Sequence, residues 1–155
     1  MKLNLDLEIT MGGVKAKVLF PNICHWADTL EGCRLVVNEA KLILPASPTL
    51  MDSVYKAPSN LILLGFSSDS TTYLLPDYYE GSGYFGGTYN ANEQAVIFRI
   101  SEYVQSVVSG KKENHGLCFG INGAGYNAYR MIVNGPDAIE ENRMRLEVTY
   151  SVVNE

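Results

Sequence analysis

The chain has 155 residues, 46% of them hydrophobic and 19% charged, with a formal net charge of −5. That size suits one domain burying roughly two-thirds of the surface its unfolded chain exposes. The basic face that phosphate neutralisation demands is missing, since Lys111-Lys112 is the one adjacent pair of cations within an acidic chain, so no nucleic-acid partner is expected.

The N-terminus MKLNLDLEI alternates polar and apolar residues. It reads as a half-buried strand through Leu3, Leu5, Leu7 and Ile9, and it lacks the continuous apolar core of a signal peptide. No apolar run approaches the ~20 residues of a membrane span, so no membrane insertion by this segment is expected. Met11-Gly12-Gly13 is a turn, and Val14, Ala16, Val18 and Phe20 form the next alternating strand. Pro21–Gly32 is a connection with one helical turn, carrying His25 and the single tryptophan, Trp26, which reads as a plug at the core edge. In CRLVVNEAKLILP the apolar positions run Leu35, Val37, then Ala40, Leu42 and Leu44. The alternation slips by one residue at Asn38-Glu39, which predicts a bulge.

Leu50–Pro58 is a connection, and NLILLGF, Asn60–Phe66, is a continuous apolar run read as a strand buried on both faces. A turn at Ser67–Ser70 leads to a short strand, Thr71–Leu75. Asp77–Glu93, DYYEGSGYFGGTYNANE, reads as a long loop rich in Gly, Tyr and Asn.

The stretch Gln94–Ile121 carries the clearest local signal. Val96, Ile97, Phe98 and Ile100 favour a strand. Ser101 is placed to cap a helix, and Tyr103, Val104, Val107 and Val108 follow at helical spacing, with Glu102, Gln105 and Ser106 outward. Gly110 sits at the left-handed stop, with Lys111 and Lys112 at the negative end of the helix dipole. Leu117–Ile121 is the next strand. Asn122–Asn127 is a Gly-rich turn, Tyr129–Val133 a strand, and Met144, Leu146, Val148 and Tyr150 alternate in the last one. The whole predicts a mainly β fold: one domain over 1–155, an antiparallel two-sheet β-sandwich of jelly-roll-like form, with one short α-helix near residues 101–110.

Three cysteines cannot all pair within one chain. Cys118, between Leu117 and Phe119, reads as a buried thiol. Cys24 and Cys33 are read as free apolar thiols, with a bridge between them as the alternative.

Catalytic chemistry finds little support. His25 and His115 lie far apart, and neither G-x-S-x-G nor H-E-x-x-H occurs. Cys24-His25 makes half a metal-ligand set. Glu140-Glu141 reads as a solvated turn, and no two acids are placed across a cleft as glycoside hydrolysis requires. No cofactor is expected, and Asp69, Asp77 and Glu80 are the oxygen donors from which a structural calcium site would be built. The chain is therefore read as no enzyme. The candidate ligand-binding residues are Tyr78, Tyr79, Tyr84, Tyr89, Asn90 and Asn92. Tyrosine rings stack on the apolar faces of sugars, and Asn side chains offer a donor and an acceptor to hydroxyls. The bland alternative is a loop folded on its own aromatics.

The motif ISEYVQSVVSGKKENHGLCFGI, followed by YRMIVNG and by NRMRLEVTYS, resembles the pattern of jelly-roll modules in bacterial surface proteins, and VNEAKLILP resembles an early strand of such modules. Over roughly Val36–Tyr150 the chain is similar to a Bacteroidetes cell-surface lipoprotein family, domain of unknown function 4270, with a distant likeness to jelly-roll carbohydrate-binding modules. Leu35, Ala40, Leu42, Ile100, Tyr103, Val104, Gly116, Leu117, Leu146, Val148 and Tyr150 carry the likeness as core or turn positions. The resemblance implies a non-catalytic binding or assembly domain. It also implies a cell-surface or extracellular location if the chain is a fragment of a lipoprotein, with a glycan or another surface protein as partner. A purely structural or adhesive module, packing against other domains, is the alternative.

Overall fold

The computed structural model describes residues 4–10, 13–26, 28, 33–46, 57–122 and 129–154. The expected turn at Met11-Gly12, the connection over 47–56 and the Gly-rich turn over 123–128 lie outside the described residues.

The alternating segments become strands: β1 (Asn4–Thr10), β2 (Gly13–Leu19), β3 (Cys33–Pro45), β4 (Leu61–Phe66), β5 (Thr72–Leu74), β6 (Gly86–Asn90), β7 (Ala95–Arg99), β8 (Leu117–Ile121) and β9 (Arg145–Asn154). They form two antiparallel sheets, a five-stranded one in the order β1-β2-β8-β4-β5 and a four-stranded one in the order β6-β7-β3-β9. The chain passes from sheet to sheet between β2 and β3, β3 and β4, β5 and β6, β7 and β8, and β8 and β9. This is the expected sandwich. Phe20, Leu63 and Leu117 on one side meet Leu42, Leu44 and Phe98 on the other, all fully buried. Each such side chain stabilises the fold by roughly 1.5–3 kcal/mol relative to exposure.

The predicted bulge is present. The register of β3 against β9 shifts between Val37 and Glu39. The extra residue, Asn38, donates its side-chain amide to Ser151 Oγ at 2.8 Å. The shift lets Leu35 and then Ala40, Leu42 and Leu44 all face the core.

The α-helices lie between strands: a single turn α1 (Ser82–Phe85) ahead of β6, and the predicted helix α2 (Ser101–Val108) between β7 and β8. Tyr103, Val104, Val107 and Val108 are buried as expected. Gly110 takes φ +71° and donates its N–H to the Val107 carbonyl at 3.1 Å, which ends the helix as its sequence position implies.

α2 packs along an edge of β3. β7 pairs with β3 only over Lys41–Pro45, which leaves the first half of that β3 edge without a strand partner. α2 supplies the hydrogen bonds instead. Val37 N–H donates to Gln105 Oε1 at 2.7 Å, Gln105 Nε2 donates to the Leu35 carbonyl at 3.3 Å, and Ala40 N–H donates to Ser101 Oγ at 3.0 Å. Gln105 is therefore no outward-facing solvent residue, and Ser101 is no helix cap. Both satisfy backbone groups of β3 that would otherwise be costly to leave unpaired.

Two further expectations are corrected. β4 alternates between buried and half-buried residues rather than burying both faces, because its outer face is left open beside the three-residue edge strand β5. Tyr129–Val133 forms no strand. A single bridge joins Val133 to Ala46, just past Pro45, and Asn134 N–H donates to the Pro45 carbonyl at 2.8 Å.

Candidate functional site

The segment Asp77–Glu93 is not one loop. It contains a 3-10 turn at Pro76–Glu80, the single turn α1 and the edge strand β6. Pro76 presets the first position of the 3-10 turn. Its inward residues are Leu75 and Asp77, 0% and 1% exposed, while Tyr78 and Tyr79 project outward at 45% and 75%. Gly86 and Gly87 both take positive φ, +85° and +96°. A Cβ on Gly87 would lie 2.9 Å from the Leu61 carbonyl, so the chain enters β6 here only as glycine.

Asp77 anchors the turn. Its Oδ1 accepts the Glu102 N–H at 2.8 Å and its Oδ2 accepts the Tyr103 N–H at 2.9 Å. These are orphan amides in the first turn of α2, so Asp77 does from outside the helix what Ser101 was expected to do from within it. Burial raises the Asp77 pKa above the ordinary carboxylate value, against the two N–H bonds, which lower it. Both of its oxygens are thus engaged by amides. Asp69 is engaged elsewhere, with Oδ1 accepting from Thr71 N and Oγ1 at 3.1 and 2.7 Å. Among the described residues no three His, Cys, Asp or Glu side chains are grouped to hold a metal ion.

The six candidate residues separate into different environments. The Tyr78 ring stands edge-on to Tyr79, with centroids 5.9 Å apart, and edge-on to the buried Phe85 at 5.6 Å. Phe85 in turn packs on Phe98 in the core. The outward pair is thus braced through two aromatic contacts onto β7. Tyr84 is tied into the framework: its hydroxyl donates to Ser101 Oγ at 3.3 Å, its carbonyl accepts Arg99 Nη1 at 3.0 Å, and the Arg99 guanidinium lies 5.8 Å from its ring centre. Tyr89, on β6, is half-buried against the core. Asn90 Oδ1 accepts the N–H groups of Asn92 and Glu93 at 3.0 and 3.4 Å, which makes it a turn-former between β6 and β7. Asn92 is exposed in that same turn.

Tyr79 borders a shallow depression of about 650 Å³ whose other walls include Leu74 of β5, Glu102 and Ser106 of α2, Glu80 of its own turn, and Lys111 just past the end of α2. The sequence offers a trace of this, since Glu102 and Ser106 lie one helical turn apart on the outward face. Their meeting with Tyr79 depends on the Asp77 anchor, which no local pattern reveals. A second groove, of about 690 Å³, lies over the outer face of β3, β7 and β9. Its cations Lys41 and Arg145 are paired, with Glu39 at 3.0 Å and with Glu147 at 2.8 Å, and among the described residues no aromatic ring lines it.

The remaining candidates are framework or solvent groups. His25 pairs with Asp28 and His115 with Glu113 at the surface. Trp26 packs on the core with Tyr150, centroids 6.1 Å apart, as a core-edge plug. The three cysteines form no disulfide. Cys118 is buried, whereas Cys24 is exposed rather than apolar and enclosed, because the 3-10 turn Ile23–His25 buries only Ile23. Among the described residues no helix is long and apolar enough to cross a membrane. Comparison with family models, with curated proteins and with solved structures finds no match for this chain.

Proposed function

We propose that this β-sandwich is a non-catalytic binding domain of the cell-surface kind, taking a glycan at the depression beside Tyr79. The observation that carries the reading is an aromatic ring left 75% exposed on a turn that Asp77 ties to the start of α2. Such a ring forfeits burial, and it needs no ordering when a sugar face stacks on it, so little conformational freedom is lost on binding. The neighbouring groups suit hydroxyl recognition. Glu102 offers carboxylate acceptors, Lys111 an ammonium donor, and Ser106 a hydroxyl whose own proton is held by the Glu102 carbonyl at 2.8 Å. Tyr78, braced edge-on, holds the orientation of Tyr79. Membership of the Bacteroidetes surface-lipoprotein family, and with it the surface location, rests on the framework likeness in the sequence.

Glycan-array screening of the domain, repeated with Tyr79→Ala, tests the reading. Binding that Tyr79→Ala weakens about tenfold supports it. An array with no binder favours the alternative, a structural or adhesive module packing against another surface protein.

A further inference from the structure

The four-stranded sheet ends in a strand whose outer edge has no strand partner among the described residues. That strand, β9, runs ten residues. Folded proteins blunt such edges with short strands, bulges, prolines or lysines, because a row of free N–H and C=O groups recruits other strands. The other edges that carry described side chains follow the rule. β5 is three residues long, and β6 is five residues long with a register irregularity after Gly86. From Val148 to Asn154, VTYSVVN, β9 has no charge, proline or bulge, and Tyr150, Val152 and Val153 are 52%, 45% and 50% exposed.

The geometry points to a second copy of this chain as the occupant, its β9 pairing antiparallel to the first across a two-fold axis at Tyr150. A two-fold perpendicular to the sheet keeps each face continuous and sets each residue opposite one of the same face. Leu146 and Val148 face the core, so Tyr150 and Val152 continue that face. Centred on Tyr150, Tyr150 meets its own equivalent and Val148 meets Val152. Thr149 meets Ser151 on the outer face, and Glu147 meets Val153. No like charges are opposed, and Arg145 keeps its ion pair with Glu147. These are apolar–apolar and hydroxyl–hydroxyl pairs of the kinds that stabilise sheets. Pairing would join two four-stranded sheets into one of eight. A single strand pair buries less than the roughly 1,200 Å² of a standard interface, so the association is weak and reversible.

Light scattering on the eluting chain, from micromolar to submillimolar concentration, should show a mass rising towards twice 17.1 kDa. Val152→Lys, at an exposed position, should hold it at the monomer mass with an unchanged melting temperature. A wild-type chain that stays monomeric throughout, or a dimer indifferent to Val152→Lys, overturns the pairing. The register has its own check in a Cys24→Ser, Cys33→Ser background. Tyr150→Cys should form an intermolecular disulfide on mild oxidation, because directly opposed residues bring their Cα atoms within bridging distance. Val152→Cys should not, since it faces Val148. Cross-linking at 152 in place of 150 overturns the proposed register.

Discussion

Asp77 Oδ2 accepts the backbone N–H of Tyr103 at 2.9 Å, across 26 positions of the chain. With the parallel bond to Glu102, it ties the tyrosine-bearing turn to the start of α2. Asp77→Ala should therefore leave two helix amides without partners in a buried setting. At about 1–3 kcal/mol per orphaned group, the expected loss of stability for the two is about 2–6 kcal/mol. Chemical denaturation of the variant measures it, and a loss below half a kcal/mol, roughly the scatter of neutral surface changes, would deny the anchor its role.

The same carboxyl makes a prediction about pH. Its folded pKa is raised above the ordinary value of 3.8, with burial the largest cause. The folded state therefore binds the proton more tightly than the unfolded chain does. Its contribution is complete below the unfolded pKa and is lost as the pH rises through the folded one. Relative to Asp77→Asn, which does not titrate, the wild-type protein should lose stability as the pH rises across that window. Thermal melts of both proteins at several pH values check the sign. A gap that widens in favour of wild type with rising pH would mean that the two N–H bonds outweigh desolvation.

The apolar face of α2 yields a more drastic expectation. Val104 and Val107 are 0% and 1% exposed. Aspartate at either site buries an unpaired charge, at a cost of several kcal/mol, which is enough to unfold a domain of ordinary stability. Circular dichroism at room temperature should show the unfolded chain. A folded spectrum with a melting point near that of the parent is the contrary result.

What the sequence reveals of this fold is what short-range periodicity encodes. Alternation in Val14–Phe20 and Met144–Tyr150 marks strands, the slip at Asn38-Glu39 marks the bulge, and the spacing of Tyr103, Val104, Val107 and Val108 marks the helix. β6 is hidden because its residues, GGTYN, are small or polar and resemble a loop. The roles of Gln105 and Ser101 are hidden too. Polar side chains on a helix look solvated until β3 is seen to lack a strand partner where they sit. Of the six tyrosines and asparagines singled out by composition, residue type says nothing of direction. Leu75 and Asp77 point in, so Tyr78 and Tyr79 point out, and that alternation follows from the turn and its anchor.

Thiol reactivity separates the cysteines. Cys118 is 3% exposed on β8, whereas Cys24 is exposed. A maleimide reagent should modify Cys24 quickly in the native protein and reach Cys118 only after denaturation. Mass spectrometry of the labelled peptides distinguishes them. Native labelling of Cys118 at the rate of Cys24 would contradict its place in the core.

The tyrosines provide the sharpest separation of binding from folding. Tyr79 is 75% exposed and among the described residues its one ring contact is with Tyr78, so Tyr79→Ala should leave the melting temperature where it is. A stacking ring contributes on the order of 1 kcal/mol or more, and about 1.4 kcal/mol is a factor of ten in affinity. Glycan binding should therefore weaken about tenfold in this variant. Tyr89→Ala should behave in the opposite way, because that ring is packed against the core from β6. Its removal leaves a void beside the sandwich and should lower the melting temperature, with affinity for the sugar unchanged in whatever fraction stays folded. Tyr84→Ala should fall nearer Tyr89 than Tyr79, because its hydroxyl is bonded to Ser101 and its ring lies beside Arg99. Calorimetric titration alongside a thermal melt reads both effects on each variant. If Tyr89→Ala loses affinity without losing stability while Tyr79→Ala does neither, the sugar sits over β6 and not in the depression between β5 and α2.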